Sequence, residues 1–463
     1  MGASSRLPVL ACLASAAVAC GQSVPLTVDY PKPFVLAQRD ATGQGAIPVR
    51  VRRADVGGAG AIEARWRGGA WQTLSRAADA GVFAGTIAAS VGQGAVEVRD
   101  PARPQEVLTV EPVLVGDLFV IAGQSNADGR GSETVRLSAS SPCLGVKYRA
   151  GTWSRGDDPS DNEGKHGSPW PIVLNDLIPE QRVPMGFIQA AVGSTVVRQW
   201  RRGGDMFARM EKMVREASGG GLRVKAVLYY QGENDITHYN TLSVLGDYEQ
   251  YRTHLRAMVD DMAGLFQAPV LVGQITNLLD LPERNNSVRR AQQEIWDECP
   301  QTALPGAVAY DIFPTDGVHY RDARNLAAFA GRWTYAVRQA FYAPTPAPRP
   351  RLLAVRRAAP ATLVLTYDRP LAVAAWTGVT ASRACGFRLR NGDIALTDAD
   401  VSATELAGGR VTVTFTRPLP EPATFWYGYG SDGQGKAVLR DAATGIPVPL
   451  VFGASVDGAA DNR

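Results

Sequence analysis

Apolar and polar residues alternate with two different periods along the chain. From about residue 22 to 115, the segments AIPVRVRRADV, AIEARWRGGAW, VFAGTIAASV and AVEVRD alternate with a period of two and are separated by glycine-rich turns, which is typical of half-buried strands. From Val113 onward, short apolar runs that end in polar or glycine residues alternate with helical stripes, the clearest starting at Tyr248. Period-two alternation returns after a proline-rich linker at Tyr342–Arg351.

These patterns predict three structural regions behind an N-terminal signal. Residues 22–115 are expected to form a β-sandwich, and residues 352–463 a second one. Between them, residues 116–343 are expected to form an α/β domain, because apolar strands without alternation suit a parallel sheet that helices cover on both faces.

The first twenty residues have the features of a secretory signal. Arg6 precedes an apolar run that is too short to span a bilayer, and Ala17-Val18-Ala19 offers a cleavage site. Cys20 follows directly and also resembles a lipid-attachment cysteine, although alanine rather than leucine stands three residues before it. We therefore expect an exported protein. It is either a periplasmic or outer-membrane-anchored lipoprotein that carries its lipid on Cys20, or a secreted protein, and these two alternatives stay open.

Charge and cysteine content narrow the function classes. The net charge is +3, from 48 basic and 45 acidic residues without a basic stripe, which gives no electrostatic case for nucleic acid as a partner. Apart from Cys12 and Cys20, the cysteines are Cys143, Cys299 and Cys385. Three allow at most one disulfide, and the Cys143–Cys299 pair is favoured because both fall in the α/β region. No cysteine or histidine cluster indicates a metal site.

Candidate chemistry lies where the predicted strands end. In LFVIAGQSNADGRG an apolar strand stops just before Ser125, and YDIFPTDGVHY places Asp316 and His319 three residues apart after a later strand. Ligands of open α/β sheets bind at the carboxyl ends of the strands. A serine needs a base to become a nucleophile, and a histidine base needs a carboxylate to orient it. Alone, the Asp-Gly turn with a surface histidine would be an ordinary loop.

Ester hydrolysis also needs donors for the oxyanion of the tetrahedral intermediate. QAAVGSTVVRQW provides Gly193 and YYQGEND provides Gln231, each at a strand exit, and the backbone N–H of Ser125 would be a third donor. Each signal is weak alone, and their shared position at strand ends is the evidence.

In this order, GQSNADG, AAVGST, YYQGEND and DGVHY resemble the four sequence blocks of SGNH/GDSL-type hydrolases. More closely they resemble sialate O-acetylesterase-like and acetylxylan-esterase-like carbohydrate esterases, over roughly Val113 to Ala343. The resemblance implies a flavodoxin-like SGNH hydrolase domain, flanked by the two β-sandwiches, in which Ser125 is the nucleophile, His319 the base and Asp316 its acid. Ser125, Gly193 and Gln231 would form the oxyanion hole. The implied chemistry requires no metal and no organic cofactor.

Several assignments stay open within that resemblance. Glu233 competes with Asp316 as the acid, and Asn234 competes with Gln231 as the amide of the third block. Weaker candidates for substrate binding are Asn126, Arg198, Trp200 and Asn234. Trp200 would either stack on a sugar or pack in the core.

The acidic span Arg155–His166 lacks the ligand order of an EF-hand and is expected to be a mobile loop near the site.

The sequence therefore predicts an exported serine esterase that removes O-acetyl groups from carbohydrates through an acyl-enzyme. Its partner would be an acetylated glycan or sialoside. The alternatives are another SGNH esterase, lipase or thioesterase, and a non-catalytic carbohydrate-binding lipoprotein. Neither the sugar nor the oligomeric state follows from the sequence.

Overall fold

The computed structural model describes residues 26–54, 60–276, 278, 281–312, 314–373, 386–391, 394–429 and 439–457. The predicted signal segment, Cys20 and Cys385 lie outside these ranges. Within them, none of the helices combines the length and the apolar character that a membrane crossing would require.

The first region consists of strands, as the period-two pattern predicts. Burial alternates along β3, so its apolar residues face one side. The inward side chains of these strands share one apolar core, which includes Ile47 and Val49 of β3 and Val96 and Val98 of β7. The strands are β1 (Leu26–Tyr30), β2 (Leu36–Gln38), β3 (Gln44–Arg53), β4 (Ile62–Trp66), β5 (Gln72–Arg76), β6 (Val82–Ser90), β7 (Gly92–Arg99) and β8 (Val107–Gly123).

The second region alternates helices and strands. Its elements are α1 (Ser125–Asp128), β9 (Gly145–Arg149), β10 (Thr152–Arg155), α2 (Trp170–Gln181), β11 (Met185–Gln189), α3 (Asp205–Ala217), β12 (Ala226–Tyr230), α4 (Tyr248–Phe266), β13 (Val270–Gln274), α5 (Pro282–Glu298), β14 (Ala303–Val308) and α6 (Ala323–Phe341). Every residue of β11, β12 and β13 is buried, as expected for strands covered on both faces.

The central sheet is parallel apart from one edge strand. Its order is β10-β9-β11-β8-β12-β13-β14, and only β10 runs antiparallel to its neighbour. Without the β9–β10 hairpin, this is the 2-1-3-4-5 order of flavodoxin-like folds. The helix α2 packs on α6, and α4 packs on α5. The predicted α/β class is confirmed, within a larger mixed sheet.

The strand β8 belongs to both regions. It runs over 17 residues; its first part pairs antiparallel with β7, and its second part pairs parallel with β11 and β12. The boundary predicted between residues 115 and 116 therefore falls inside one continuous strand.

In its described residues, the third region is again built from strands, which form three sheets around a second apolar core. It contacts the α/β region closely: the Tyr310 hydroxyl donates to the Val448 carbonyl at 2.6 Å. The buried Arg289 of α5 donates to the Gly428 carbonyl at 3.1 Å. The strands are β15 (Leu352–Ala359), β16 (Thr362–Tyr367), β17 (Leu371–Val373), β18 (Phe387–Asn391), β19 (Ile394–Leu396), β20 (Val401–Ala407), β21 (Arg410–Phe415), β22 (Thr424–Tyr427), β23 (Leu439–Asp441) and β24 (Val451–Ser455).

The predicted disulfide is wrong. Cys143 and Cys299 are both free thiols. Cys143 precedes β9 and Cys299 precedes β14, and five strand spacings separate these two strands. At ~4.8 Å per spacing the two strands lie roughly 24 Å apart, whereas a disulfide joins Cα atoms that are about 4.4–6.8 Å apart. Sharing a domain did not bring the two residues together.

Candidate active site

The candidate site lies at the carboxyl ends of β8 and β12, which are neighbours where the strand order reverses. Gly123 ends β8 with φ at 121°. A Cβ added there would lie 2.0 Å from the Tyr230 carbonyl oxygen, so the two strand ends can meet only because residue 123 is glycine. The Gln124 N–H donates to that same carbonyl at 3.0 Å. Ser125 follows as the first residue of α1 and is 7% exposed.

Three of the predicted side chains form a hydrogen-bonded chain. His319 Nε2 lies 3.1 Å from Ser125 Oγ, and His319 Nδ1 lies 3.1 Å from Asp316 Oδ2. Glu233, the competing acid, does not bond His319; its carboxylate contacts Asn126. The structure therefore brings Ser125, His319 and Asp316 together, across 194 positions of sequence between the serine and the histidine.

Local hydrogen bonds set the geometry and charge of the Asp316–His319 turn. Asp316 Oδ1 accepts from the N–H of Val318 at 2.9 Å and from that of His319 at 2.6 Å, and Arg321 Nε donates to Oδ2 at 2.5 Å. Partial burial raises the pKa of Asp316, but these hydrogen bonds outweigh it and hold the pKa well below its usual value. Burial lowers the pKa of His319, and the hydrogen bond to Asp316 offsets only part of that effect. The imidazole of His319 is therefore mainly neutral at pH 7.

Three hydrogen-bond donors in the segments that follow β8, β11 and β12 have no acceptor among the described residues. They are the backbone N–H groups of Ser125 and Gly193 and the side-chain amide of Asn234, none of which takes part in the hydrogen bonds of the described chain. Gly193 adjoins the serine closely, since a Cβ added to it would lie 3.7 Å from Ser125 Cβ and only 2.8 Å from Arg130 Nη2. Such free donors can bind a developing oxyanion.

The amide of Gln231 does not fit its predicted role as an oxyanion donor. It is completely buried, and its Nε2 donates to Asp235 Oδ2 at 2.7 Å, with further contacts to Gln124 Oε1 and the Thr195 carbonyl at 3.2 Å each. Its two N–H groups are thus used inside the protein. Asn234, the weaker candidate in the sequence, has the free amide.

The side chain of Asn126 is also used internally, which contradicts its predicted contact with substrate. Its Nδ2 donates to Glu233 Oε1 at 2.8 Å and to the Val318 carbonyl at 3.0 Å, and its Oδ1 accepts from the Tyr320 N–H at 3.3 Å. Asn126 therefore ties the loop of Ser125 to the loop of His319, and Glu233 holds Asn126. Burial raises the pKa of Glu233 to about 7, although the Asn126 hydrogen bond opposes this.

Two further substrate-binding candidates point elsewhere. Arg198 contacts His254 at 3.0 Å and Gln250 at 2.8 Å, both on α4. Trp200 is 0% exposed, and its Nε1 donates to Thr195 Oγ1 at 3.0 Å. A buried tryptophan cannot stack on a sugar, so core packing, the other interpretation of Trp200, is confirmed.

The span Arg155–His166 borders the site but is extensively hydrogen-bonded, which differs from the predicted mobile loop. Asp161 Oδ1 accepts from the N–H groups of Lys165 at 3.0 Å and His166 at 2.8 Å. Asn162 Nδ2 donates to the buried Asp128 at 2.8 Å. The acidic turn is therefore tied by hydrogen bonds to itself and to Asp128 of α1.

Arg130 is a residue that the sequence analysis missed. Its Nη1 pairs with the buried Asp128 Oδ2 at 2.7 Å, while Nη2 lies beside Gly193 and 3.8 Å from the half-exposed Glu163. The arginine within the glycine-rich segment GQSNADGRG was the available signal. The structure thus places a fixed cation next to Ser125.

Comparison with known proteins agrees with this fold. Residues 115–325 match the family model described as carbohydrate esterase, sialic acid-specific acetylesterase (SASA). The chain is 23% identical over 212 residues to the "Probable carbohydrate esterase At4g34215" of Arabidopsis thaliana, covering 39% of this chain and 71% of that protein. It superimposes on XAC1771, a carbohydrate acetylesterase from Xanthomonas citri, with a TM-score of 0.62 and 18% identity, covering 91% of this chain and 98% of the other.

Together, the fold and the family match resemble those of SGNH/GDSL-type hydrolases. The match covers residues 115–325, less than half of the chain, and these residues resemble the sialic acid-specific acetylesterase family of carbohydrate esterases. The protein is therefore a carboxylic ester hydrolase of the acetylesterase class.

Proposed function

We propose that this protein is an exported serine esterase that removes O-acetyl groups from carbohydrates through an acetyl-enzyme on Ser125. The observation that carries the mechanism is the chain from Ser125 Oγ through His319 to Asp316, with 3.1 Å at each link. Export rests on the first twenty residues of the sequence alone, and the periplasm, the outer membrane and the medium remain its possible destinations.

In the first half-reaction, neutral His319 accepts the proton of Ser125 as Oγ attacks the carbonyl carbon of the acetyl group. The N–H groups of Ser125 and Gly193 and the amide of Asn234 stabilise the resulting oxyanion. The imidazolium then gives its proton to the oxygen of the leaving sugar, and the sugar departs with a free hydroxyl group.

In the second half-reaction, His319 removes a proton from water, which attacks the acetyl-Ser125 ester. The tetrahedral intermediate formed by this attack then collapses, His319 returns the proton to Ser125 Oγ, and acetate is released. Asp316 orients the imidazole and stabilises its charged form in both halves, and remains ionised because its pKa is held low.

For the sugar, two observations favour a sialoside over xylan. The matching family model describes a sialic acid-specific acetylesterase. Arg130 also supplies a cation beside Ser125, held by the buried Asp128, and a guanidinium pairs well with a carboxylate. Acidic sugars carry such a carboxylate, whereas xylose does not.

The decisive variant is Ser125→Ala. We expect it to lower kcat for p-nitrophenyl acetate by at least about 10³-fold, with an unchanged circular dichroism spectrum and melting temperature. Acetate release from acetylated sialosides and acetylated xylan would then rank the sugars, and an acyl-chain-length series would separate an acetylesterase from a lipase or thioesterase. Retained hydrolysis by the alanine variant would remove the nucleophile assignment. Glycan binding without hydrolysis of any ester would point instead to a carbohydrate-binding protein.

A further inference from the structure

The loop that follows the Gln231–Asp235 segment presents an exposed aromatic side chain. Tyr239 is 83% exposed and Leu242, in the same loop, is 46% exposed. The other large apolar side chains that are similarly exposed in the described residues lie on strands β8, β15 and β17, outside the α/β loops. Exposed apolar surface that is concentrated at one point beside a site often marks a contact surface.

This loop is fixed against the segment that carries Gly193. Asn240 Nδ2 donates to the Ser194 carbonyl at 3.1 Å and to Gln199 Oε1 at 3.0 Å. Asn240 Oδ1 accepts from the Leu242 N–H at 3.0 Å. Further along, the buried Val244 donates from its N–H to Asp235 Oδ1 at 3.4 Å. Tyr239 therefore stands beside Asn240 on an anchored backbone, next to the turn that follows Gly193.

The chemistry of this side chain matches one part of the proposed substrate. The π face of an aromatic ring is electron-rich and attracts positively polarised edges, and the C–H groups on one face of a pyranose are such edges. A tyrosine joins that apolar face to a polar tip that suits the hydroxyl groups of a sugar. Trp200, the aromatic residue that the sequence offered for this purpose, is fully buried.

We propose that Tyr239 and Leu242 form the platform on which a pyranose ring of the substrate rests while its acetyl group reaches Ser125. This inference rests on the proposed function and adds a sugar subsite to it. The occupant is a carbohydrate ring rather than a protein partner, because among the described α/β loops the large exposed apolar side chains are confined to this one short loop.

The test compares an acetylated sugar with an ester that has no ring. For Tyr239→Ala, we expect kcat/KM on an acetylated sialoside or xylo-oligosaccharide to fall about 3- to 10-fold relative to that on ethyl acetate, mainly through KM. Tyr239→Phe retains the ring and should keep most of the affinity. Leu242→Ala should act in the same direction as Tyr239→Ala. Its matched control is Leu353→Ala, which truncates an equally exposed leucine on β15 and should leave the hydrolysis of both substrates unaffected.

Binding measurements separate this proposal from the proposed function. Calorimetry with the deacetylated sugar and Ser125→Ala should show binding that weakens about 3- to 10-fold when Tyr239→Ala is added. An unchanged KM for every acetylated sugar, or an equal loss on ethyl acetate, would overturn the platform. If Ser125→Ala stays active while Tyr239→Ala still weakens sugar binding, the catalytic proposal fails and the platform stands.

Discussion

The buried carboxyl of Glu233 makes the stability of this protein depend on pH in an unusual direction. Burial raises its pKa to about 7 in the folded chain, from 4.5. Between those two values the folded protein keeps a proton that the unfolded chain has lost, so the free energy of unfolding falls as pH rises. At ~1.4 kcal/mol per pH unit, the full cost above pH 7 is about 3 kcal/mol, of which about 2.5 kcal/mol appears between pH 5 and pH 8.

Glu233→Gln should remove this dependence, because an amide is neutral at every pH and its carbonyl can still accept the hydrogen bond from Asn126. Relative to the wild type, the variant should gain about 2.5 kcal/mol on going from pH 5 to pH 8. For the α/β domain of residues 116–343, that corresponds to roughly 5–10 °C in melting temperature. Differential scanning calorimetry at both pH values measures it, and the difference between the proteins cancels the contributions of groups that do not interact with Glu233; Asp235, which does interact with it, does not cancel.

Glu106→Gln is the control, since Glu106 is an exposed carboxylate of the first β region. It should follow the wild type at both pH values. Equal losses of melting temperature for the wild type and Glu233→Gln between pH 5 and pH 8 would refute the claim that Glu233 is protonated in the folded protein.

The remaining predictions concern the chemistry. The value of kcat/KM for p-nitrophenyl acetate should rise with pH as His319 loses its proton, with a midpoint below 6.5 because burial lowers the pKa of this histidine. A midpoint above 6.5 would contradict the effect of burial on His319. Asp316→Asn should lower kcat by about 10³- to 10⁴-fold. Asn234→Ala should lower kcat by about 10²-fold at an unchanged melting temperature, whereas Gln231→Ala should lower the melting temperature because it opens a buried network. The reverse pattern would return the oxyanion role to Gln231.

Strand ends were predictable from sequence because the apolar runs stop abruptly. The loops after β8, β11 and β12 therefore meet at one edge, and Ser125 and Gly193 come together there. The Asp316–His319 spacing was equally informative, since a carboxylate three residues before a histidine can bond both its N–H and its ring.

The partner of each amide side chain was not predictable. Gln231, Asn126 and Asn234 all stand in loops at the same edge, and only the three-dimensional network decides which amide is used internally and which stays free. For Trp200 the sequence left burial and exposure open, and it gave no signal that Tyr239 would be the exposed ring.

Because β8 is one continuous strand, it joins the first β region to the edge of the central sheet that carries Ser125 without an intervening loop. One backbone carries hydrogen bonds to β7 at its start and delivers Ser125 at its finish, so a displacement of the first region is transmitted to the serine loop. Removing the first region at residue 115 would cut a ladder in mid-strand and expose unpaired N–H and C=O groups. A chimera that replaces the first β region with that of a relative would therefore need its junction within strand β8 rather than in a loop.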